Sequence, residues 1–143
     1  MKREMFTRYA LQFVGTPYIY ASNGPLSFDC SGFVLELLKC AGFNPPMKDM
    51  NSQQMYTWIS GLQNPSIKKV DCGTILFYGP NNHSISHVAM MLDHQTIIEA
   101  GGGDSTTVDL KAARNMGWAM VRIRQFGHRK DFIGGYNPGF IDD

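Results

Sequence analysis

The hydrophobic pattern of this chain changes once along its length, and the change limits the folds that are open to it. In the first part, up to residue 62, apolar residues recur three or four positions apart, as on one face of an amphipathic helix. After residue 73, short apolar runs are separated by turn residues, which is typical of strands. Helices followed by neighbouring strands predict an α+β fold, with the helices packed on an antiparallel sheet.

Three helices are expected in the first part. Each combines an apolar stripe with a capping or helix-ending residue. The first carries Met5, Tyr9 and Phe13 and ends at Gly15; the second is capped by Asp29 and ends at Gly42; the third is capped by Ser52 and carries Met55, Ile59 and Leu62.

Four strands are expected in the second part, over residues 74–78, 87–92, 95–100 and 119–124. The pair Asp93-His94 predicts a two-residue hairpin between the second and third strands. This hairpin places His87 roughly opposite Ala100, with Glu99 as a neighbour. Gly101-Gly102-Gly103 lacks the Lys-Ser/Thr of a phosphate-binding loop and is expected to be a flexible turn. The tail from Gly127 is rich in Gly, Asn and Pro and is not assigned to an element.

Composition predicts a single folded domain over residues 1–143, because 43% of the residues are hydrophobic and 17% are charged. A formal net charge of +1 gives no basic field, so nucleic acid is not an expected partner. No apolar run approaches the length of a membrane span, and no signal peptide is apparent, so synthesis in the cytoplasm is expected. Three cysteines argue against a disulfide framework.

Cys30 is the candidate nucleophile. It lies where a turn-rich loop gives way to an apolar helical run, between the polar residues Asp29 and Ser31. Unpaired backbone N–H groups and the helix dipole stabilise a thiolate at a helix start, and the thiolate is the reactive form. The alternative is a buried structural cysteine, which is the commoner role. That role fits Cys40, on the apolar stripe of the same helix, and Cys72, at a strand entrance, better than it fits Cys30.

A catalytic thiol needs a base, and His87 is the candidate because it opens an apolar strand. The other histidines, His83, His94 and His128, fall in polar loops or in the tail. Glu99 would be an isolated charge among apolar neighbours unless it orients the His87 imidazole, as the third member of a catalytic triad does. The alternative for Glu99 is an exposed carboxylate at a strand end.

A zinc site is the competing interpretation of the same residues. His83 and His87 are four positions apart, and Cys30 could join them. This spacing brings ligands together on a helix, and Pro80 with the asparagines that follow it argues against a helix there. We therefore expect thiol chemistry with no metal and no cofactor.

The chain resembles the NlpC/P60 family of cell-wall cysteine peptidases, a branch of the papain-like fold. The family pattern runs from Pro-Tyr to Asp-Cys-Ser-Gly, then through a Gly-Asp strand and a His-Val strand to a hairpin partner ending in a polar residue and Ala. The matching segments are Pro17-Tyr18, Asp29-Cys30-Ser31-Gly32, Gly73-Thr74, His87-Val88 and Glu99-Ala100. The resemblance implies a papain-like α+β fold with N-terminal helices on a central antiparallel sheet.

By the same resemblance, Cys30 is the nucleophile, His87 is the base and Glu99 is the third catalytic residue. The family usually has His, Asn or Gln at the third position, so Glu99 is a departure. A second departure is Ala21-Ser22, where the family has two glycines, and a third is Thr74 in place of the Asp of the Gly-Asp strand.

The resemblance also implies substrate-binding residues. Tyr18 matches the tyrosine beside the thiol that helps to bind the reacting carbonyl. Asp29 and Ser31 match residues that hold the free amine of a stem peptide, and a carboxylate is suited to an ammonium group.

The function implied is hydrolysis of an amide bond in peptidoglycan stem peptides. Phage-encoded members are similar in size, which implies an endolysin or a tail-associated lysin that acts on the wall after release or as part of a virion. Two alternatives stay open: acyl transfer or amide cleavage on a non-wall substrate at the same Cys-His site, and a non-catalytic phage structural module with a degenerate site.

Overall fold

The computed structural model describes residues 3–62 and 71–137, and these residues form the expected α+β architecture. The strands make one five-stranded sheet in the order β4-β3-β2-β1-β5, in which every neighbouring pair is antiparallel. No helix in these two ranges is long and apolar enough to cross a lipid bilayer. The elements are α1 (Arg3–Leu11), α2 (Cys30–Cys40), α3 (Ser52–Leu62), β1 (Ile75–Tyr78), β2 (His87–Met91), β3 (Thr96–Gly101), α4 (Leu110–Met116), β4 (Met120–Gln125) and β5 (Phe132–Tyr136).

Helix α2 is the element that packs on the centre of the sheet, against β2 and β3. The side chains of Val34, Leu37 and Leu38 are fully buried. Phe33 is buried as well and packs edge to face against Phe28 and Phe13, at ring-centroid distances of 5.6 and 6.1 Å. Each such side chain stabilises the fold by roughly 1.5–3 kcal/mol when it leaves water. The packing therefore fixes the start of α2, and with it Cys30, against the sheet.

The ends of two helices differ from the expectation. Helix α1 ends at Leu11, before Gly15. After Leu11, each backbone N–H donates to the carbonyl three residues earlier, and not four as in an α-helix; the accepting carbonyls are those of Tyr9, Ala10 and Leu11. Helix α3 is capped by Asn51 and not by Ser52: Asn51 Oδ1 accepts from Gln54 N at 2.8 Å, and Gln54 Oε1 accepts from Asn51 N at 2.9 Å. This is a reciprocal capping box. The Ser52 hydroxyl donates instead to the carbonyl of Ile85, in the loop before β2, at 3.1 Å.

Two elements were not expected from the sequence. Helix α4 (Leu110–Met116) is short; Asp109 caps its start, and Gly117, which has φ +82°, caps its end. Strand β5 lies in the tail and pairs with β1, Ile75 opposite Tyr136 and Phe77 opposite Gly134. Two consecutive glycines in β5 remove the alternating side chains by which a strand is recognised in sequence.

The hairpin between β2 and β3 differs from the prediction by one residue. Met90 pairs with Ile98 and Met91 with Ile97, so the turn has three residues and not two. The Asp93 carboxylate causes this, because it accepts from the backbone N–H groups of Gln95 and Thr96, both at 2.8 Å. A one-residue shift moves every side chain of a strand to the other face. The observed register therefore places the Glu99 side chain on the same face of the sheet as that of His87.

Cys30, Cys40 and Cys72 all lie in the described residues and form no disulfide bond with one another. Cys72 is half-buried, and its thiol donates to the Leu92 carbonyl at 3.0 Å. Cys40 is exposed at the last residue of α2, so its expected structural role in the core is wrong. Cys40 belongs to the last turn of α2, and its side chain stays at the surface there.

Candidate active site

Cys30 is the first residue of α2, and Asp29 caps the helix as expected. Asp29 Oδ1 accepts from Gly32 N at 2.6 Å, and the Ser31 hydroxyl donates to the same oxygen at 3.3 Å. The thiol is half-buried and faces a cleft of about 420 Å³. A cysteine in this position lies at the end of the helix where the first backbone N–H groups and the positive end of the helix dipole are found.

His87 links Cys30 to Glu99. Its Nε2 lies 2.9 Å from Glu99 Oε1, and since an ionised carboxylate can only accept, this nitrogen carries a proton. Burial lowers the pKa of His87, but hydrogen bonds and charge interactions with Cys30 and Glu99 outweigh it and raise the pKa to about 9. Because Nε2 is occupied by Glu99, Nδ1 is the nitrogen left for the thiol.

Glu99 is almost completely buried, at 2% exposure, yet it is ionised. Burial raises its pKa, but the hydrogen bond to His87 and the charges of His87 and Arg122 bring the pKa down to about 2. The alternative of an exposed carboxylate is therefore wrong. Glu99 contacts His87, and its role in orienting the imidazole stays a prediction.

Arg122 is the site residue that sequence reasoning missed. Its Nε donates to Glu99 Oε2 at 3.1 Å, and its Nη2 lies 3.0 Å from the same oxygen. Glu99 and Arg122 are direct partners in the β3–β4 ladder. The signal was present as two arginines alternating with Val121 and Ile123 in β4. The pairing of Glu99 with Arg122 could not be predicted from the sequence, because the register of β3 against β4 depends on the structure of the long segment between them.

Strand β1 adds a polar side chain, Tyr78, beside those of His87 and Glu99. Tyr78 is the ladder partner of His87, and their rings are 5.7 Å apart. Burial is the main cause of a raised pKa for Tyr78. The guanidinium of Arg129 lies 5.1 Å from the Tyr78 ring centroid and is paired with Asp131 at 2.7 Å. Neighbouring strands therefore present Tyr78, His87, Glu99 and Arg122 in sequence across the sheet.

The glycines at positions 101, 102 and 103 form a closely packed wall of the cleft, so the expectation of a flexible turn is wrong. A Cβ atom on Gly101 would lie 2.5 Å from Glu99 Oε2, and one on Gly102 would lie 2.3 Å from the Trp118 carbonyl oxygen. Real Cβ contacts are essentially never this short. Because these glycines have no side chains, the backbone can lie this close to the Glu99 carboxylate and to the Trp118 carbonyl.

Two of the three predicted substrate-binding residues have access to a cleft. Tyr18 lines the Cys30 cleft at 8% exposure, and burial, followed by the nearby Cys30 and Asp29, raises its pKa. Asp29 is half-buried and lines an adjacent cleft of about 460 Å³; burial is the main cause of its raised pKa. Ser31 is buried, and its hydroxyl contacts Asp29. The binding roles of all three remain predictions.

The described residues contain no group of three or more His, Cys, Asp or Glu side chains arranged to hold a metal ion. His83, the proposed zinc partner of His87, is exposed in the loop before β2. The contacts of His87 run instead to Cys30 and Glu99.

The fold is similar to those of several solved structures. An NlpC/P60 family protein from Bacillus cereus ATCC 10987 superposes with a TM-score of 0.69 at 20% identity, covering 96% of this chain and 40% of that protein. The chain thus spans about two fifths of the length of that protein. The peptidoglycan hydrolase RipB from Mycobacterium tuberculosis superposes with a TM-score of 0.65 at 19% identity, covering 99% of this chain and 67% of RipB.

A third similar structure is RipD from Mycobacterium tuberculosis, described as a non-catalytic NlpC/p60 domain protein adapted to peptidoglycan binding. It superposes with a TM-score of 0.65 at 18% identity and covers 93% of each chain. No curated protein matches this chain significantly in sequence. The sequence model of the NlpC/P60 family matches residues 15–125, a range that includes Tyr18, Cys30, His87 and Glu99. The chain therefore belongs to the NlpC/P60 family.

Proposed function

We propose that this protein is a cysteine hydrolase that cleaves an amide bond in peptidoglycan stem peptides. The observation that carries the proposal is the connected set of Cys30, His87 and Glu99, with Cys30 at a helix start and the pKa of His87 raised to about 9. An imidazolium beside a thiol at neutral pH favours the thiolate–imidazolium pair that thiol hydrolases use.

The reaction proceeds through a thioester. The Cys30 thiolate attacks the carbonyl carbon of the substrate, and the backbone N–H of Cys30 at the helix start donates to the oxyanion. His87 gives its proton to the leaving amine as the C–N bond breaks. Water then attacks the thioester, His87 takes a proton from that water, and the acid product leaves the regenerated thiolate. Glu99 accepts from Nε2 throughout and holds the imidazole ring in place.

The substrate class is supported by family membership and by the hydrolase RipB among the similar structures. Tyr18 lines the same cleft as Cys30 and Asp29 lines the adjacent one, which fits a peptide that runs through both clefts. In this arrangement Tyr18 contacts the reacting carbonyl and Asp29 accepts from the amine of the stem peptide.

A non-catalytic wall-binding domain is the second candidate, and the similarity to RipD favours it. The two candidates differ in one respect that can be measured. A hydrolase must produce new chain ends in purified wall, whereas a binding domain must leave the wall intact.

The test is mass spectrometry of muropeptides after purified wall is incubated with the wild type, Cys30→Ala or Cys40→Ala. Cys40 is a matched control, because it is an exposed cysteine at the other end of the same helix. The proposal expects new amine ends with the wild type and Cys40→Ala but not with Cys30→Ala. An intact wall after incubation with the wild type, together with sedimentation of the protein with the wall, would establish the binding domain instead.

A further inference from the structure

We propose that Arg122 is a positioning residue that holds the Glu99 carboxylate in the orientation that keeps His87 beside Cys30, and so sets the lower pH limit of thiol reactivity. This inference rests on the proposed function, because it concerns the same Cys-His site. No catalytic role is assigned to Arg122 itself, since it acts through Glu99.

The geometry divides the two oxygens of Glu99 between two partners. Oε1 accepts from His87 at 2.9 Å, and Oε2 accepts from Arg122 Nε at 3.1 Å and lies 3.0 Å from Nη2. The carboxylate cannot rotate without giving up one of these contacts. Arg122 is held in turn, because its Nη1 donates to the Trp118 carbonyl at 3.4 Å.

The backbone beside the contact between Glu99 and Arg122 leaves no room for a side chain. A Cβ atom on Gly101 would lie 2.5 Å from Glu99 Oε2 and 3.2 Å from Arg122 Nη2. The side chains of Glu99 and Arg122 are 2% and 16% exposed, so the contact is largely removed from water. A buried charged hydrogen bond of this kind is stronger than its surface equivalent, and a carboxylate left without its partner there would be costly.

Several other ionisable groups face Glu99, and none of them replaces Arg122. His87 occupies Oε1, with Cys30 beyond it, and Tyr78 is an uncharged phenol at neutral pH. Arg129 lies near enough to interact with Glu99, but its guanidinium makes a two-point contact with Asp131 at 2.9 and 2.7 Å. Among the described residues, Arg122 is thus the arginine in direct contact with Glu99.

Loss of the Arg122 charge should move the acid side of the reactivity profile upwards, because Arg122 is one of the two charges that hold the pKa of Glu99 down. Without this cation the pKa of Glu99 rises, so the carboxylate is lost at a higher pH and His87 loses its acceptor.

The experiment measures the rate of Cys30 alkylation by iodoacetamide between pH 2 and pH 9, with labelling at Cys30 quantified by peptide mass spectrometry. This readout requires no wall substrate. Arg122→Gln should raise the acid midpoint by about one pH unit, which is about a tenfold lower rate on that limb. Arg122→Lys should restore most of the rate. Arg124→Gln is the matched control and should leave the profile unchanged, because Arg124 lies on the same strand opposite Ile97.

A second arm separates this role from a merely structural one. In a Glu99→Gln background the neutral amide needs no counter-ion, so the further change Arg122→Gln should shift the midpoint by less than half as much. An equal shift in both backgrounds, or an unchanged midpoint in Arg122→Gln, would overturn the proposal. If Arg122→Gln does not fold, the comparison of Arg122→Lys with the double variant Glu99→Gln/Arg122→Gln decides the same question.

Failure of this proposal can be distinguished from failure of the proposed function. If alkylation of Cys30 is the same in the wild type and His87→Ala, the Cys-His site is not formed, and both proposals fail. If the midpoint shifts as expected but wall stays intact, the proposed hydrolysis fails while the role of Arg122 stands.

Discussion

Gly103 lies so close to the ring of Tyr18 that no side chain fits between them. A Cβ atom on Gly103 would lie 2.2 Å from Tyr18 Cδ1 and 2.9 Å from Thr107 Oγ1. Tyr18 is only 8% exposed, and its backbone N–H donates to the Ala119 carbonyl at 2.9 Å, so the ring has little room to withdraw. The position of Tyr18 at the cleft thus depends on a glycine far from it in sequence.

Gly103→Ala should therefore displace Tyr18 and destabilise the protein. We expect a loss of about 1–3 kcal/mol in the free energy of unfolding, as for overpacking in a core. Hydrolysis of purified wall should fall as well. The measurement is urea unfolding followed by circular dichroism. Gly61→Ala in α3 is the control, because a Cβ atom there meets nothing within 4 Å, and it should stabilise the protein by about 0.5–1 kcal/mol. Equal stability of Gly103→Ala and the wild type would contradict the packing argument.

A second prediction concerns Ala21, which has φ +62°. An L-residue in this left-handed conformation costs roughly 1–2 kcal/mol, whereas glycine adopts it freely but loses about 0.5–1 kcal/mol through chain entropy. Ala21→Gly should therefore stabilise the fold by about 0.5–1 kcal/mol in urea unfolding. Ala112→Gly in α4 is the counterpart and should be destabilising, because its backbone is helical. If both substitutions destabilise the protein, the left-handed conformation of Ala21 costs less than the chain entropy that glycine loses on folding.

The third prediction is a pH dependence of stability that comes from His87 and Glu99. The pKa of His87 is raised from 6.5 to about 9, so its contribution is full below pH 6.5 and is lost as the pH rises towards 9. The pKa of Glu99 is lowered from 4.5 to about 2, so its contribution is full above pH 4.5 and is lost as the pH falls towards 2. The pair therefore stabilises the protein most between about pH 4.5 and pH 6.5.

The difference in unfolding free energy between the wild type and Glu99→Gln isolates this contribution. It should be largest within that window and should shrink on both sides of it. Urea unfolding at intervals of one pH unit from 3 to 9 is the measurement. A difference that stays constant over the whole range would show that the pair is not coupled to folding.

The sequence was sufficient for the parts of the site that rest on local signals. Asp29 before an apolar stripe predicts a capped helix, and an N-terminal Cys30 follows from it. His87 and Glu99 are polar residues on strands that are otherwise apolar, which is a visible anomaly. The structure places all of these in one site.

What could not be predicted depends on contacts between distant segments. The three-residue turn is set by the Asp93 side chain, and only that register places Glu99 on the face of His87. Arg122 becomes a partner of Glu99 through the β3–β4 ladder, whose register follows from the segment that contains α4. The Gly101 contact with Glu99 is likewise a close approach that composition does not reveal.

The last prediction separates the two roles of Asp29, as a helix cap and as a proposed ligand of the substrate amine. Its Oδ1 accepts from Gly32 N at 2.6 Å, so Asp29→Ala should lose about 1 kcal/mol of stability through the missing cap. Asp29→Ser keeps a capping oxygen but removes the carboxylate, so its stability should be close to that of the wild type. If Asp29 binds the amine, Asp29→Ser should still raise KM for a stem peptide with a free amine.

Asp109→Ala provides the matched control, because Asp109 caps α4 in the same way and accepts from Ala112 N at 2.8 Å. It should lose a similar amount of stability through its cap and leave KM unchanged. The decisive comparison is between a stem peptide with a free amine and the same peptide acetylated at that amine. Asp29→Ser should reduce the preference for the free amine, since an acetylated peptide offers no ammonium to a carboxylate. An unchanged preference would leave Asp29 as a cap alone.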